Sequence, residues 1–199
     1  MGLKIEYEKG QTPLSEEEME GLLIPAITTR EELDEFEQQN IEKALEWYLY
    51  RKKFKVDKIL TEDFINQVHV KMFSDVWNWA GQTRRSEKNI GVPWMQIPIQ
   101  LRQLLEDCKY WIENETYSDE EISIRFKHRL VAIHIFPNGN GRHSRLMGDI
   151  MMKHIFNKPI FTWGQRNLVN KSVVRDSYIK ALKNADGGNF NDLIDFAQS

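Results

Sequence analysis

Apolar side chains recur at three- and four-residue intervals along most of this chain, and that spacing predicts helices. "TTREELDEFEQQNIEKALEWYLYRK" carries Leu33, Phe36, Ile41, Leu45 and Tyr48 near helical spacing, behind Thr29 and Glu32 at the separation of a capping box. "LTEDFINQVHVKMFSDVWNWA" opens at Thr61 and places Phe64, Val68, Met72 and Val76 four apart. "PIQLRQLLEDCKYWIENE" has Pro98 in its first turn, where a missing N–H is harmless. "SDEEISIRFKHRLVAIHIF" pairs Ser118 with Glu121 as a second capping box and carries Ile122, Phe126, Leu130 and Ile133. Helical patterns resume in "RHSRLMGDIMMKHIF", "NKSVVRDSYIKALKNAD" and "NFNDLIDFAQ". Two stretches do not fit. Residues 1–14 lack periodicity and read as a surface arm. Residues 81–97, "GQTRRSEKNIGVPWMQI", are too long for a simple connection, and irregular segments of that length are more often functional or disordered than structural. With Gly91, Pro93 and Pro98 among apolar residues, "SEKNIGVPWMQIP" predicts a small hairpin whose free edge could pair with an extended peptide. The pattern as a whole predicts an all-α bundle with that hairpin beside it. No internal repeat or low-complexity segment interrupts it.

Composition narrows the function classes. The chain has 199 residues, 41% apolar and 29% charged, enough for one domain with a sizeable core. A formal net charge of −3 gives no basic field for nucleic acid or anionic lipid, and no helix-turn-helix signature is present. Cys108 is the only cysteine, so no internal disulfide can form. The opening "MGLKIEYEKG" is unlike a signal peptide, and Glu6 removes the Ser or Thr that a myristoylation signal needs. No apolar run is long enough to span a bilayer. The expected compartment is the cytoplasm, with no nucleic-acid or membrane partner.

The chemistry concentrates in "HIFPNGNGRHSR", residues 134–145. A histidine near a helix end is followed by a glycine-rich turn and by two arginines one helical turn apart. A helix beginning near Arg142 presents backbone N–H groups and a positive dipole end to an anion. Glycines allow close ligand approach, and Arg142 and Arg145 can add charge-assisted bonds to phosphate oxygens. His134 is placed to take a proton from an attacking hydroxyl. Each feature alone is commonplace: a histidine bonded to a carbonyl, an ordinary turn, a solvated basic face. Their coincidence within twelve residues argues for a phosphate site with a base. Ser144 is a weaker candidate nucleophile. Zinc is disfavoured because His128, His134, His143 and His154 lack ligand spacing, and the P-loop pattern is absent.

The same stretch resembles the signature of Fic-domain proteins, His-x-Phe-x-Asp/Glu-Gly-Asn-Gly-Arg-x-x-Arg, at His134, Phe136, Gly139, Asn140, Gly141, Arg142 and Arg145. "VHVKMFSDVWNWAGQTRRSE" resembles the segment leading into that family's target-binding flap, and "YIKALKNADGGNFNDLIDF" its C-terminal helices, so the likeness spans roughly residues 59–196. Within the family the chain looks closest to the small bacterial mobile mystery protein B group.

The resemblance implies a helical domain that transfers AMP from ATP to a Ser, Thr or Tyr hydroxyl of a protein, or of itself. His134 would be the general base and Phe136 a core anchor. Gly139, Asn140 and Gly141 would form the phosphate cradle, Arg142 a second phosphate ligand, and Arg145 the arginine that orients the γ-phosphate. Asn89, Ile90 and Gly91, within a flap near residues 86–98, would align the target. Asn138 stands where the family has Asp or Glu holding Mg²⁺; its carbonyl oxygen would hold the ion more weakly as the cofactor of ATP, which brings the donor and the rate into question. Members with other donors, such as UMP or phosphocholine, exist; the phosphate-transferring members have Lys at the position of Gly141. The family's inhibitory helix has a partial counterpart in residues 1–58, placed before a core at 59–199. Glu37 in "LDEFEQQN" is the expected inhibitory carboxylate, aimed at Arg145, and Glu32 four residues after Thr28 is the runner-up. A nucleotide- or protein-binding module with weakened chemistry is the rival class. A homo-oligomer is left open.

Overall fold

The computed structural model describes residues 12–164 and 171–199, and side chains throughout except those of residues 171–175. The described chain is helical and has no named strand. Leu22 and Trp77 form an isolated antiparallel bridge. Helix α1 is one turn, Glu16–Met19, opened by a complete capping box between Ser15 and Glu18. Helix α2, Arg30–Glu46, starts at Thr29, whose hydroxyl accepts the Glu32 N–H while the Glu32 carboxylate accepts the Thr29 N–H. It runs into a π-helical turn, Trp47–Arg51. A short α3, Val56–Ile59, precedes α4, Glu62–Phe73, which begins at the expected Thr61 cap. Helix α5, Ile97–Glu113, has Pro98 in its first turn. Helices α6, Asp119–Ile133, and α7, Asn140–His154, follow, then α8, Lys171–Asp186, and α9, Asn191–Gln198.

Helices α2, α4, α5, α6 and α7 enclose one core. Phe64, Ile65, Val68, Met72, Leu104, Phe126, Leu130, Phe136, Met147 and Ile150 are fully buried in it. Cys108 also lies there, and burial pushes its thiol up to about 12, so it behaves as a small apolar residue. A second cluster joins α8 and α9 to the far end of α7 through Met152, Trp163, Ala181 and Leu193. Among the described residues no helix is long and apolar enough to cross a membrane.

Several elements depart from the sequence pattern. The buried face of α2 is Leu33, Glu37, Asn40, Ile41 and Ala44, whereas Phe36 is 41% exposed. Helix α4 ends at Phe73, and Trp77 and Trp79 enter the core from the turn after it. Ser118 caps α6, but the Glu121 carboxylate bonds Arg125 instead of closing the box. Helix α7 begins at Asn140, two residues before Arg142. Residues 82–93 form no hairpin. Their physical substitute for strand pairing is a side chain, described below.

Candidate active site

The site is built on the turn between α6 and α7. Helix α6 stops because His134 adopts the left-handed conformation, φ 57° and ψ 63°, with its N–H still reaching Leu130 O at 3.4 Å. Gly139, φ 79°, opens α7, and a Cβ there would sit 2.5 Å from the Phe73 ring, so only glycine fits. Between them the side chain of Asn140 clamps the backbone of Phe136: its Oδ1 accepts the Phe136 N–H at 2.9 Å and its Nδ2 donates to Phe136 O at 2.8 Å. Asn140 therefore shapes the turn, and any phosphate contact it makes comes from its main chain. His69 on α4 buttresses the turn from below. Its Nδ1 accepts the Gly81 N–H at 2.9 Å, which puts the ring proton on Nε2, and Nε2 donates to Asn138 O at 3.0 Å. The ring stacks on Phe136 with centroids 3.8 Å apart, and burial first, then the nearby His143, hold its pKa well below the usual value.

His134 is only 4% exposed. Burial, and after it the charge of Arg84, lower its pKa to about 4, with a smaller push from Lys88 and some opposition from the Val131 carbonyl. The imidazole is therefore neutral at pH 7. Nδ1 is buried with no partner of good hydrogen-bond geometry, the Val131 carbonyl being the acceptor near it. With the proton on Nδ1, Nε2 is free to accept one from a hydroxyl. A hydroxyl is there: Thr12 Oγ1 lies 3.2 Å from Nε2. The sequence placed residues 1–14 on the surface. Thr12, at the described end of that arm, is instead buried in the site at 8% exposure, because it is gripped by polar groups that no apolar periodicity reveals.

The flap is held by Arg84. Its buried guanidinium donates to three carbonyls: Nε to His134 O at 2.6 Å, Nη1 to Ser86 O at 2.7 Å, and Nη2 to Val92 O. Its own N–H bonds Ile135 O at 2.9 Å. These bonds occupy carbonyls that a two-stranded hairpin would pair with N–H groups, and Pro93 has no N–H to offer. Gly91, φ 101°, lies against His134; a Cβ on it would meet His134 Cβ at 2.5 Å. Of the expected flap residues, Gly91 reaches His134, while Asn89 and Ile90 face solvent. Lys88 donates to Pro13 O at 3.0 Å and pairs with Glu18, whose other oxygen accepts from Ser86 at 3.0 Å. Trp79 Nε1 donates to Glu18 O at 2.9 Å.

On the other side of the turn, Glu37 is buried and pairs with Arg142, Oε2 to Nη1 at 2.6 Å, while its Oε1 accepts the Trp77 indole N–H at 2.7 Å. The expectation that Glu37 faces Arg145 is thus corrected. Arg142 lies over the Phe73 ring toward α2, whereas Arg145, one turn further along α7, faces the Tyr178 ring and reaches Gly141 O at 3.4 Å. Glu32 accepts from Thr28 and Thr29 as a helix cap and takes no part in the site. A Cβ at Gly141 would meet nothing within 4 Å, so packing does not require glycine there.

Asn138 has both ends of its amide engaged: Oδ1 accepts the Gly139 N–H at 2.6 Å and Nδ2 donates to Thr12 O at 3.0 Å. Among the described residues no cluster of three or more His, Cys, Asp or Glu could hold a metal ion. One neutral, already bonded oxygen is a poor match for Mg²⁺, which favours charged hard ligands. Asn138, the expected Mg²⁺ ligand, therefore does not fit a resident Mg²⁺ ion.

Sequence reasoning missed Thr12, His69 and Arg84. His69 shares the buried face of α4 with Ile65 and Met72, and a histidine on an apolar stripe was its signal. Arg84 had only its place in the irregular segment, and Thr12 had none.

Residues 59–152 match the model of the Fic/DOC family. No curated protein matches the sequence. The fold is similar to that of BepC, a VirB-translocated effector from Bartonella tribocorum with bound AMPPNP, at 17% identity and TM-score 0.62, over 86% of this chain and 87% of that one. It is similar to the N-terminal FIC domain of the effector Bep8 from Bartonella sp. 1-1C at 13% identity and TM-score 0.65, over 89% and 94%. It is also similar to Fic-1 (residues 134–508) from C. elegans at 20% identity and TM-score 0.64, over 90% of this chain but only 50% of that one.

Proposed function

We propose that this chain, which carries a Fic/DOC-family domain at residues 59–152, is a protein nucleotidyltransferase that moves AMP from ATP to a Ser, Thr or Tyr hydroxyl. The observation that carries this reading is a neutral, buried His134 whose Nε2 meets a hydroxyl at 3.2 Å beside the N-terminus of α7. The first-turn N–H groups of Asn140, Gly141 and Arg142 have no acceptor within the helix and suit a phosphate. The open space at Gly141 lets phosphate oxygens approach them. Arg142 and Arg145 would bind the remaining phosphate charge. In the transfer, His134 takes the acceptor's proton as the hydroxyl oxygen bonds to the α-phosphorus and pyrophosphate leaves. A similar fold bound to AMPPNP supports ATP as the donor.

A protein acceptor is supported by the exposed apolar residues along the flap and just after it: Ile90, Trp94, Met95 and Ile99. Glu37, on the buried face of α2, is proposed as the inhibitory carboxylate, acting on Arg142. The neutral Asn138 favours a slower enzyme, or another donor, over one with a strong metal site. The test is incorporation of label from α-labelled ATP, with ATP affinity measured in parallel. His134→Ala should lose transfer by ~10²–10⁴-fold and still bind ATP. Wild-type transfer in that variant, or no ATP binding by the wild type, overturns the reading.

A further inference from the structure

We infer that Thr12 is an acceptor of this chain's own transfer reaction in cis, a site of self-nucleotidylation. The inference rests on the transferase reading above. Thr12 Oγ1 stands 3.2 Å from His134 Nε2 although the two residues are 122 positions apart in sequence. Such a contact is set by tertiary structure. The arm is seated as an acceptor segment needs to be. Asn138 Nδ2 donates to Thr12 O at 3.0 Å. Lys88 of the flap donates to the next carbonyl, Pro13 O, at 3.0 Å. These two bonds fix the backbone that directly follows the hydroxyl.

The seat is also locked against sliding. Ser15 and Glu18 close the capping box of α1, and Glu18 is tied to Lys88 and Ser86 of the flap and, through its carbonyl, to the Trp79 indole. Lys88 and Glu18 are almost fully buried, at 5% and 12% side-chain exposure, so water does little to weaken that pair. Among the described residues, no other side-chain hydroxyl has a hydrogen bond to His134.

The chemistry closes with a nucleoside triphosphate as donor. Thr12 Oγ1 attacks the α-phosphorus, and its proton passes to His134 Nε2. The bond between the α-phosphorus and the bridging oxygen breaks, and pyrophosphate leaves with the electron pair. The product is a phosphodiester at Thr12. Its Oγ1 no longer has a proton to give Nε2, so modification removes the bond that holds the arm over the base.

The experiment incubates the full chain with ATP and Mg²⁺ and locates adenylyl groups by peptide mass spectrometry. Glu37→Gln is run alongside, because the Glu37–Arg142 pair is expected to slow the wild type. The group is expected on Thr12 in both, retained at that position in Thr12→Ser, and absent in Thr12→Val and His134→Ala. The rate per molecule is expected to stay constant on dilution, as a cis step requires. Transfer to other residues or to an added protein with Thr12 unmodified overturns the inference and leaves the transferase reading standing. A rate that grows with protein concentration overturns the cis assignment. No transfer to any residue or any added protein, in either chain, overturns both readings.

Discussion

Glu37→Gln separates the charge of Glu37 from its shape. In the resting protein one carboxylate oxygen accepts the Trp77 indole N–H at 2.7 Å and the other holds Arg142 at 2.6 Å. Glutamine keeps an acceptor for Trp77 but loses the attraction for the guanidinium. If a triphosphate needs Arg142, it must first displace Glu37. A hydrogen bond between charged groups contributes about 1.5–3 kcal/mol net, and Arg142 is 30% exposed, which argues for the lower end. At about 1.4 kcal/mol per factor of ten, Glu37→Gln should bind a non-hydrolysable ATP analogue about tenfold more tightly. It should also transfer faster at limiting ATP. Calorimetric titration with Mg²⁺ present reads the affinity, and urea unfolding followed by tryptophan fluorescence checks that the fold survives. Glu32→Gln is the internal control: Glu32 only caps α2, so its affinity should match wild type. A well-folded Glu37→Gln with unchanged affinity would refute the idea that Glu37 competes with the nucleotide.

Arg84→Lys should lower transfer at saturating ATP by tenfold or more, of the order expected when a base is displaced by about an ångström, while ATP affinity stays unchanged. An equal fall in ATP affinity would mean that Arg84 supports the whole fold and does not position the flap and base. The pH dependence follows from buried histidines. His134 and His143 are held at about 4, against an ordinary 6.5, chiefly by burial. As pH falls below 6.5 the unfolded chain takes up protons that the folded chain refuses, so each histidine lowers stability by about 2 kcal/mol at pH 5. Asp149, raised to about 7 by burial, acts the other way over the same range and offsets about one of them. His143→Gln should therefore show a stability loss from pH 7 to pH 5 about 2 kcal/mol smaller than wild type; an identical loss in denaturant titrations would contradict the shift.

How much of this was readable in advance depended on whether a residue's partner lay close in sequence. Caps at Thr29 and Thr61 and the break at 134–139 are local events, and the chain announces them. His134, the glycines and the arginines of the turn are legible together because they share twelve residues. The contact of Glu37 was half legible. Its identity was chosen from position along the helix, but Arg142 rather than Arg145 meets it, because the buried face of α2 is turned to include Glu37 and Asn40 and to leave Phe36 outside. That rotation is set by Trp77 and by the polar bonds of Asn40 to Lys71 O and the Asp75 N–H, which no hydrophobic period encodes. The expected hairpin failed for the same reason. Its carbonyls go to Arg84, a side chain whose partners lie up to fifty positions away.

Arg84 also has a consequence for how the site opens. One guanidinium joins Ser86 and Val92 to His134, and the amides of Arg84 and Val92 reach back to Ile135 O and Ile133 O at 2.9 and 3.4 Å. Residues 84–92 and His134 are therefore expected to behave as one cooperative unit in hydrogen exchange, with neither end of this lattice unfastening while the other stays closed. Their amides should exchange with a common opening free energy, distinct from that of the α8–α9 end. A partly melted protein that keeps His134 in place without residues 84–92 around it would then be scarcely populated. Thermal fluctuation would open this part of the structure as a whole and not piece by piece.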